Sequence, residues 1–385
     1  MNRHGDEAFH RREKSRKKKA FIWQFILLAA LLVIFGSFAF NISSNLAARN
    51  IHSGFGFLSE SAGFELGESL ISFSSTESYG RAFLAGLLNT IRVAAVSIIT
   101  ATVLGIIVGL MRLSKHPLLE FLGAAHVEFY RNIPLIVQLL LIYLLITELL
   151  PDSTEALHFG SWALLSKAGL QYAVPTDFHA AAAASAVSAI LCFIFCRRTF
   201  IKTYTGLISS TLALGCALLA GGAVWFAAGI IFGWSKPELQ GFAIEGGSSL
   251  SPEFLALWIG LTLFTSSAIA EIIRAGVLAV PKGQWNAALS LGMTQMETVS
   301  YVIFPQALKL AVPPLASQYM NLTKNSSLAV VVGYPDLVSI GNSTINLNGQ
   351  ALEVIVIIMS VYLVLNLIIS VLMNKVNALV TRGAR

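Results

Sequence analysis

Charge is what this chain has least of. Only 12% of its 385 residues are Asp, Glu, Lys or Arg, against about a quarter in soluble domains. Hydrophobic residues make up 55% and mean hydropathy is +0.72. One aqueous core cannot hide so much apolar surface, so lipid is the expected solvent. Cysteine is also scarce. Cys192, Cys196 and Cys216 all lie in apolar segments. They imply no disulfide framework, have no Cys/His partner at metal-site spacing, and read as packing residues. His52, His116, His126, His158 and His179 are scattered, with no HExxH and no paired spacing, so no metal site is expected. No G-x4-G-K-[ST] occurs, which excludes a P-loop ATPase within the chain. No nucleophile–base pair or metal cluster supports an integral-membrane enzyme. Neither a 20–50-residue repeat nor the ten-residue alternation of barrel strands is present, and strands are not expected anywhere.

What charge there is sits unevenly. Residues 1–19 carry eight Lys/Arg against Asp6, Glu7 and Glu13, so the tail holds +5 of a net +6. A basic run beside an apolar span anchors that end in the cytoplasm. Nucleic-acid binding is the weaker reading of the same run. The apolar run after it is longer than a signal-peptide core, so it is expected to stay as an anchor.

A membrane-crossing helix needs about 20 largely apolar residues. Eight candidates occur: 21–40, 84–111, 118–150, 179–196, 205–234, 253–275, 306–332 and 351–374. The third and seventh exceed one plain span and should contain bends or breaks. The loops after the second, fourth and sixth spans are basic (Arg112 to Lys115, Arg197 to Lys202, Arg274 to Lys282), while the opposite loops hold Glu60, Glu65, Glu68, Glu77, Asp152, Glu155, Asp177, Glu238 and Glu245 against Arg49, Arg81, Lys167 and Lys236. Both termini are therefore expected in the cytoplasm. The expected fold is an all-α polytopic membrane protein of about eight transmembrane helices. Its expected organisation is a basic tail at 1–20, an extra first helix at 21–40, a periplasmic loop at 41–82, a transmembrane domain at 83–377 and a tail at 378–385. A short interfacial helix is expected at 63–71.

The stretch 283–305 is polar and Ala-rich between two apolar spans. Residues 286–291 should form a short helix that Gly292 ends in a left-handed conformation. Thr294-x-x-Glu297 reads as a capping box starting the next helix. Ala287 and Ala288 permit close backbone approach, and Leu289, Leu291 and Met293 offer apolar knobs. Such an element either docks into a groove on a soluble partner or lies on the membrane surface.

Asn286-Ala287-Ala288, Gly292 and Val302-x-Phe304-Pro305 resemble the EAA signature of ABC importer permeases. Ala270-Glu271-x-x-Arg274-x-Gly276, Val280-Pro281-x-Gly283-Gln284-Trp285, Pro313-Pro314 and Leu322-Thr-Lys324-Asn-Ser-Ser resemble the polar amino-acid subfamily. So do Asn89-Thr90 and Glu128-x-x-Arg131-Asn132-x-Pro134-x-x-x-Gln138. The resemblance covers about residues 80–150 and 253–377. It implies a type I (MetI-like) core built from spans two, three, six, seven and eight, to which span one and the pair at 179–234 are additions. That pair resembles the insertion of the general L-amino-acid permeases. The resemblance further implies a bacterial inner-membrane subunit with two cytoplasmic ATP-binding subunits, a sister permease forming a heterodimer, and a periplasmic amino-acid-binding protein. ATP and Mg would sit on the ATPase, with no cofactor in this chain. Residues Gln284, Trp285, Asn286, Ala287, Ala288, Leu291, Gly292, Met293 and Pro305 would form the ATPase-coupling loop. Asn286 departs from the usual Glu and cannot make a salt bridge. The alternative is an ion-coupled secondary amino-acid carrier, a class in which both halves usually carry inverted repeats and broken helices.

Ionisable groups at bilayer depth are functional candidates. Lys324 lies among Asn321, Thr323, Asn325, Ser326 and Ser327, after a Pro313-Pro314 pair expected to kink or break the helix. Broken backbone at that depth is tolerated only inside protein or beside a water-filled path. Residues 321–327 thus read as path or outer gate, or else Lys324 snorkels to the headgroups. Glu271 with Arg274, and Glu128 with Arg131, share helix faces. Each pair either fixes packing or lines the path. Asn89 and Thr90 carry the same suggestion, and Gln138 is placed to hydrogen-bond across helices.

Overall fold

The computed structural model describes residues 54–382 apart from 202–205 and 242, together with 21–38 and the positions Lys19, Phe40, Asn41 and Ser44. The rest of the basic tail, Arg49, His52, Lys202 and residues 383–385 lie outside the described residues.

Among the described residues, seven helices are long and apolar enough to cross a membrane, and a bent pair makes an eighth. The first is α1, Phe21–Phe38. Helix α2, Tyr79–Arg112, starts five residues before its apolar run because the Ser78 hydroxyl accepts from the Arg81 amide. The third span is two helices, α3 (Pro117–Asn132) and α4 (Leu135–Leu144, prolonged by a wide turn to Leu149), crossing at 104°. Ile133 precedes Pro134 and is held extended. The buried Gln138 amide donates to the carbonyls of Tyr130 and Ile133 at 2.9 and 2.8 Å, stitching the break from within.

Helices α5 (Phe178–Phe200) and α6 (Gly206–Phe232) form a hairpin that packs chiefly on itself. All three cysteines lie on it as free thiols. At its base the chain forms strands, contrary to the sequence reading: β1 Leu157–Phe159, β2 Ala163–Ser166, β3 Gly169–Tyr172, β4 Val174–Pro175, β5 Trp234–Ser235, β6 Glu238–Gln240, β7 Ala243–Glu245 and β8 Ser248–Leu250. They are two to four residues long, too short to leave an alternation in the sequence. The antiparallel sheet β1-β2-β3-β8 pairs Leu170 with Leu250, so chain before the hairpin is zipped to chain after it.

Helix α7, Pro252–Leu278, follows; the Ser251 hydroxyl caps it by accepting from the Phe254 amide at 3.0 Å. It lies along α2 at close range. A Cβ at Gly105 would stand 2.6 Å from Ile269, and one at Gly109 would stand 3.0 Å from the Ala270 carbonyl. Gly260 admits Leu139 and Gly276 admits Ala307 in the same manner. Helices α8 (Lys282–Ser290) and α9 (Gln295–Glu297) lead through a π turn, Thr298–Ile303, into α10, Phe304–Asn325. The expected break at Pro313-Pro314 does not occur. Both prolines are exposed, and burial of Ala311, Val312 and Leu315 holds the helix through them. The chain tightens later, into a 3-10 turn at Ser326–Val331. Helices α11 (Leu337–Asn348) and α12 (Ala351–Arg382) complete the chain.

The expected helix at 63–71 is also absent. The amides of Ala62 and Gly63 bond instead to the carbonyls of Glu77 and Ser75, so this loop folds back as extended chain. A 3-10 turn stands at Phe55–Ser59.

Candidate coupling element and polar cavity

Helix α7 is 27 residues long, about 40 Å at 1.5 Å per residue. It starts at the sheet and ends at α8, so the sheet and the candidate coupling element lie at opposite ends of the core. Helix α8 stops in a Schellman motif. The amide of Gly292 bonds to Leu289 O at 3.0 Å and that of Met293 to Ala288 O at 3.3 Å, with Gly292 at φ 80°. Thr294 and Glu297 form the reciprocal capping box, with Thr294 N to Glu297 Oε2 at 2.8 Å and Glu297 N to Thr294 Oγ1 at 3.3 Å. Two helix ends are thus satisfied within six residues, and the turn between them is rigidly specified.

Its two faces differ. Ala288 is buried, and Trp285 packs with Val280, Ile303 and Ala307, seating the element against the ends of α7 and α10. Gln306 donates to Gln284 across this seam at 3.4 Å. Pro305 stands in the first turn of α10. The other face is bare: Gln284, Asn286, Ala287 and Leu289 are exposed, Leu291 is 83% exposed and Met296 75%. Met293 is half-buried.

The second feature is a cavity of about 370 Å3 lined by Arg131, Thr265, Ser267, Gln318, Asn321 and Asn325, with Phe264, Ala268 and Leu322. Arg131, Asn321 and Asn325 are therefore brought together from α3 and α10. Ser326 is buried and donates to Thr323 O at 2.8 Å, closing the turn below them. Lys324 is exposed and outside the lining.

Glu271 and Arg274 do pair, at 3.1 Å. Arg112, at the end of α2, also holds Glu271, a contact that no local pattern announces. One carboxylate thereby ties α2 to α7. Glu128 and Arg131 form no ion pair among the described residues. Glu128 is exposed and accepts from Asn132 at 3.3 Å, because α3 ends at once and leaves Arg131 facing the cavity.

Asn89 and Thr90 are fully buried away from it. The Asn89 amide donates to the carbonyls of Glu68 and Pro335, each at 2.9 Å, and Thr90 Oγ1 accepts from Leu337 N at 3.1 Å. They fasten α2 to the loop that precedes it and to α11. Arg92 pairs with Glu68 and lies over the Phe254 ring at 4.3 Å. Gln318, Thr265 and Ser267 escaped the sequence reading. Their signal was spacing: Gln318, Asn321 and Asn325 recur at three and four residues along one helix face.

Residues 213–382 match the family described as the binding-protein-dependent transport system inner membrane component. YhdX, named as an amino-acid ABC transporter permease protein of Escherichia coli (strain K12), is 42% identical over 371 residues, covering 93% of each chain. AapQ, the general L-amino acid transport system permease protein of Rhizobium johnstonii, is 39% identical over 368 residues, covering 94% of this chain and 92% of that one. BztB, the glutamate/glutamine/aspartate/asparagine transport system permease protein of Rhodobacter capsulatus, is 34% identical over 373 residues, 88% of each. Nothing in these likenesses supports an ion-coupled carrier. A bundle of apolar spans, an exposed two-helix element at one end and relatives matched along nearly their whole length converge: the chain belongs to the amino-acid ABC importer permeases, multi-pass transport subunits of the inner membrane.

Proposed function

We propose that this chain is the passive half-channel of an importer for L-amino acids, moved by ATP-binding subunits that grip α8 and α9. The observation that carries the reading is the two-faced element at 282–297. Its inner face is seated by Trp285 and Ala288, while Leu291 and Met296 stand bare at the end of an otherwise lipid-facing bundle. Exposed apolar side chains on a rigid turn suit a groove on a partner better than water. With Asn286 in place of a carboxylate, the contact is apolar rather than ionic.

On this reading the coupling element, the basic tail at 1–20 and the tail at 378–385 face the cytoplasm, and the loop at 41–82 and the sheet face the periplasm. A periplasmic amino-acid-binding protein delivers the substrate. Two cytoplasmic ATPase subunits hold ATP and Mg, and this chain hydrolyses nothing itself. Five core spans enclose half a path, so a sister permease, a paralogue, supplies the other half. ATP-driven closure of the ATPases rocks the core open outward, and hydrolysis returns it inward. The residues around the cavity, with Glu271 and Arg274 beneath it, line the path.

Deleting residues 284–293 tests this. Membrane insertion should survive, while co-purification of the ATPase and amino-acid uptake should both vanish. A deletion variant that still binds the ATPase overturns the assignment.

A further inference from the structure

The turn joining β1 to β2 is held beside the end of a membrane span. Helix α6 has 27 residues, about 40 Å of helix, against a hydrocarbon layer about 30 Å thick. Its ends therefore reach into the headgroup layers. Trp234, just past the helix end at Phe232, turns back along α6 instead of leaving it. A Cβ on Gly229 would meet its indole at 2.1 Å, and its ring centre lies 5.6 Å from that of Phe226. Phe226 stands six residues before the end of α6, a distance of about 9 Å along the axis. Trp162 then meets Trp234 edge to face at 5.0 Å. The turn is thus fixed at the level of the last turns of α6, not above them.

The side chains of the turn suit that level. Residues 157–162 include no Asp, Glu, Lys or Arg. Phe159 is 58% exposed and Leu157 47%, and they share one face of β1. Across the sheet that face continues as a row of leucines: Leu157 pairs with Leu165, Leu165 with Leu170, and Leu170 with Leu250. Leu250 packs against the core of the bundle, so an apolar strip runs from the core out to the turn. The Lys236 ammonium stands 5.1 Å over the Trp162 ring. Indoles, and cations on apolar stems, collect at the membrane–water boundary. The depth is limited from the other side too. Among the described residues β1 pairs only with β2, and an open sheet edge is not tolerated in hydrocarbon. The headgroup layer, where water and phosphates supply hydrogen bonds, meets both limits, and a soluble protein has poor access to it. The β6–β7 hairpin differs: Glu238 and Glu245 face each other across it and are exposed, an arrangement that needs water.

We propose that the β1–β2 turn is a lipid-docking surface. Leu157, Phe159 and Trp162 seat in the phospholipid headgroup layer on the sheet's side of the membrane and fasten the base of the α5–α6 hairpin there. This inference needs α6 to span the bilayer; it does not depend on the ATPase contact or on the direction of transport.

Photolabelling tests it. The purified complex of this chain, its sister permease and the ATPase would be placed in phosphatidylcholine vesicles containing a phospholipid with a photoreactive headgroup, and the labelled peptides mapped. Adducts on residues 157–162 should exceed those on 238–245 by at least about tenfold. Phe159→Glu should cut labelling of the turn by about tenfold, and Phe159→Leu should preserve it. Adding the periplasmic amino-acid-binding protein in excess should leave the labelling unchanged. Equal labelling of the two hairpins, or labelling of the turn that survives Phe159→Glu, overturns the inference. Loss of the turn's label on adding the binding protein also overturns it, and makes the turn a protein-docking surface instead. If Phe159→Glu does not assemble, the comparison of the two hairpins in the unaltered complex decides.

Discussion

The packed core and the inserted hairpin are both made of apolar helices, yet they use the same raw material in opposite ways. In α7 half of the most apolar stretch is buried by other helices; in α5 only 6% is. The core achieves contact through small residues. Gly105, Gly109, Gly260 and Gly276 each have a side chain or carbonyl where a Cβ would stand. The hairpin has open space around Gly215 and Gly222, and Leu218 and Leu219 are among its most exposed residues. Lipid solvates Leu as well as a neighbouring helix does, so apolarity alone creates no association in a membrane; shape and polar contacts do. The core is thus closely interlocked, and the hairpin joins it through the sheet at its base and a small contact of α6 with α12.

Substitutions can break this contrast, and the largest effect belongs to the α2–α7 seam. Gly105→Leu places a side chain where Ile269 and the Ser266 carbonyl already stand, and should cost about 3 kcal/mol of stability, read as a fall in the unfolding temperature of the purified complex. Glu271→Gln should come next. It leaves Arg112 and Arg274 facing each other without their shared partner, at about 2 kcal/mol, with uptake falling although the polar cavity keeps its lining. Gly229→Ala probes the hairpin's own tight point. Its Cβ would meet the Trp234 indole at 2.1 Å, at about 1–2 kcal/mol, and tryptophan emission should shift while core melting stays unchanged. Gly292→Ala strains the left-handed turn between α8 and α9 by about 1 kcal/mol, seen as weaker ATPase co-purification rather than lower thermal stability. Gly222→Ala should do almost nothing, within about 0.5 kcal/mol. A Gly222→Ala loss as large as that at Gly105 would erase the distinction between the two regions.

Much of this was legible in the sequence where the physics is one-dimensional. Apolar run length marks spans, because the bilayer sets a length. The turn at 290–297 was readable because Gly292, Thr294 and Glu297 act on backbone within four residues. What depends on distant partners was not. Arg112 looked like a loop charge until α2 and α7 were placed side by side. The pairing of Leu170 with Leu250 spans the whole hairpin and leaves no local trace. Pro313-Pro314 signals a break by local rules, but tertiary burial of Ala311, Val312 and Leu315 overrides them. The cavity follows the same logic. Its amides were visible as a run of polar residues, while Arg131 is unpaired only because α3 ends one residue later.

The two roots of the α8–α9 element are built differently. On one side Pro281 joins α8 to α7 through a turn of three residues, and the Arg112–Glu271–Arg274 tie braces that root to α2. On the other side the six-residue π turn Thr298–Ile303 intervenes before α10, and such wide turns are rare and frequent at functional sites. If a partner applies force at α8 and α9, that force meets a braced root at α7 and α2 and a widened helical turn at α10.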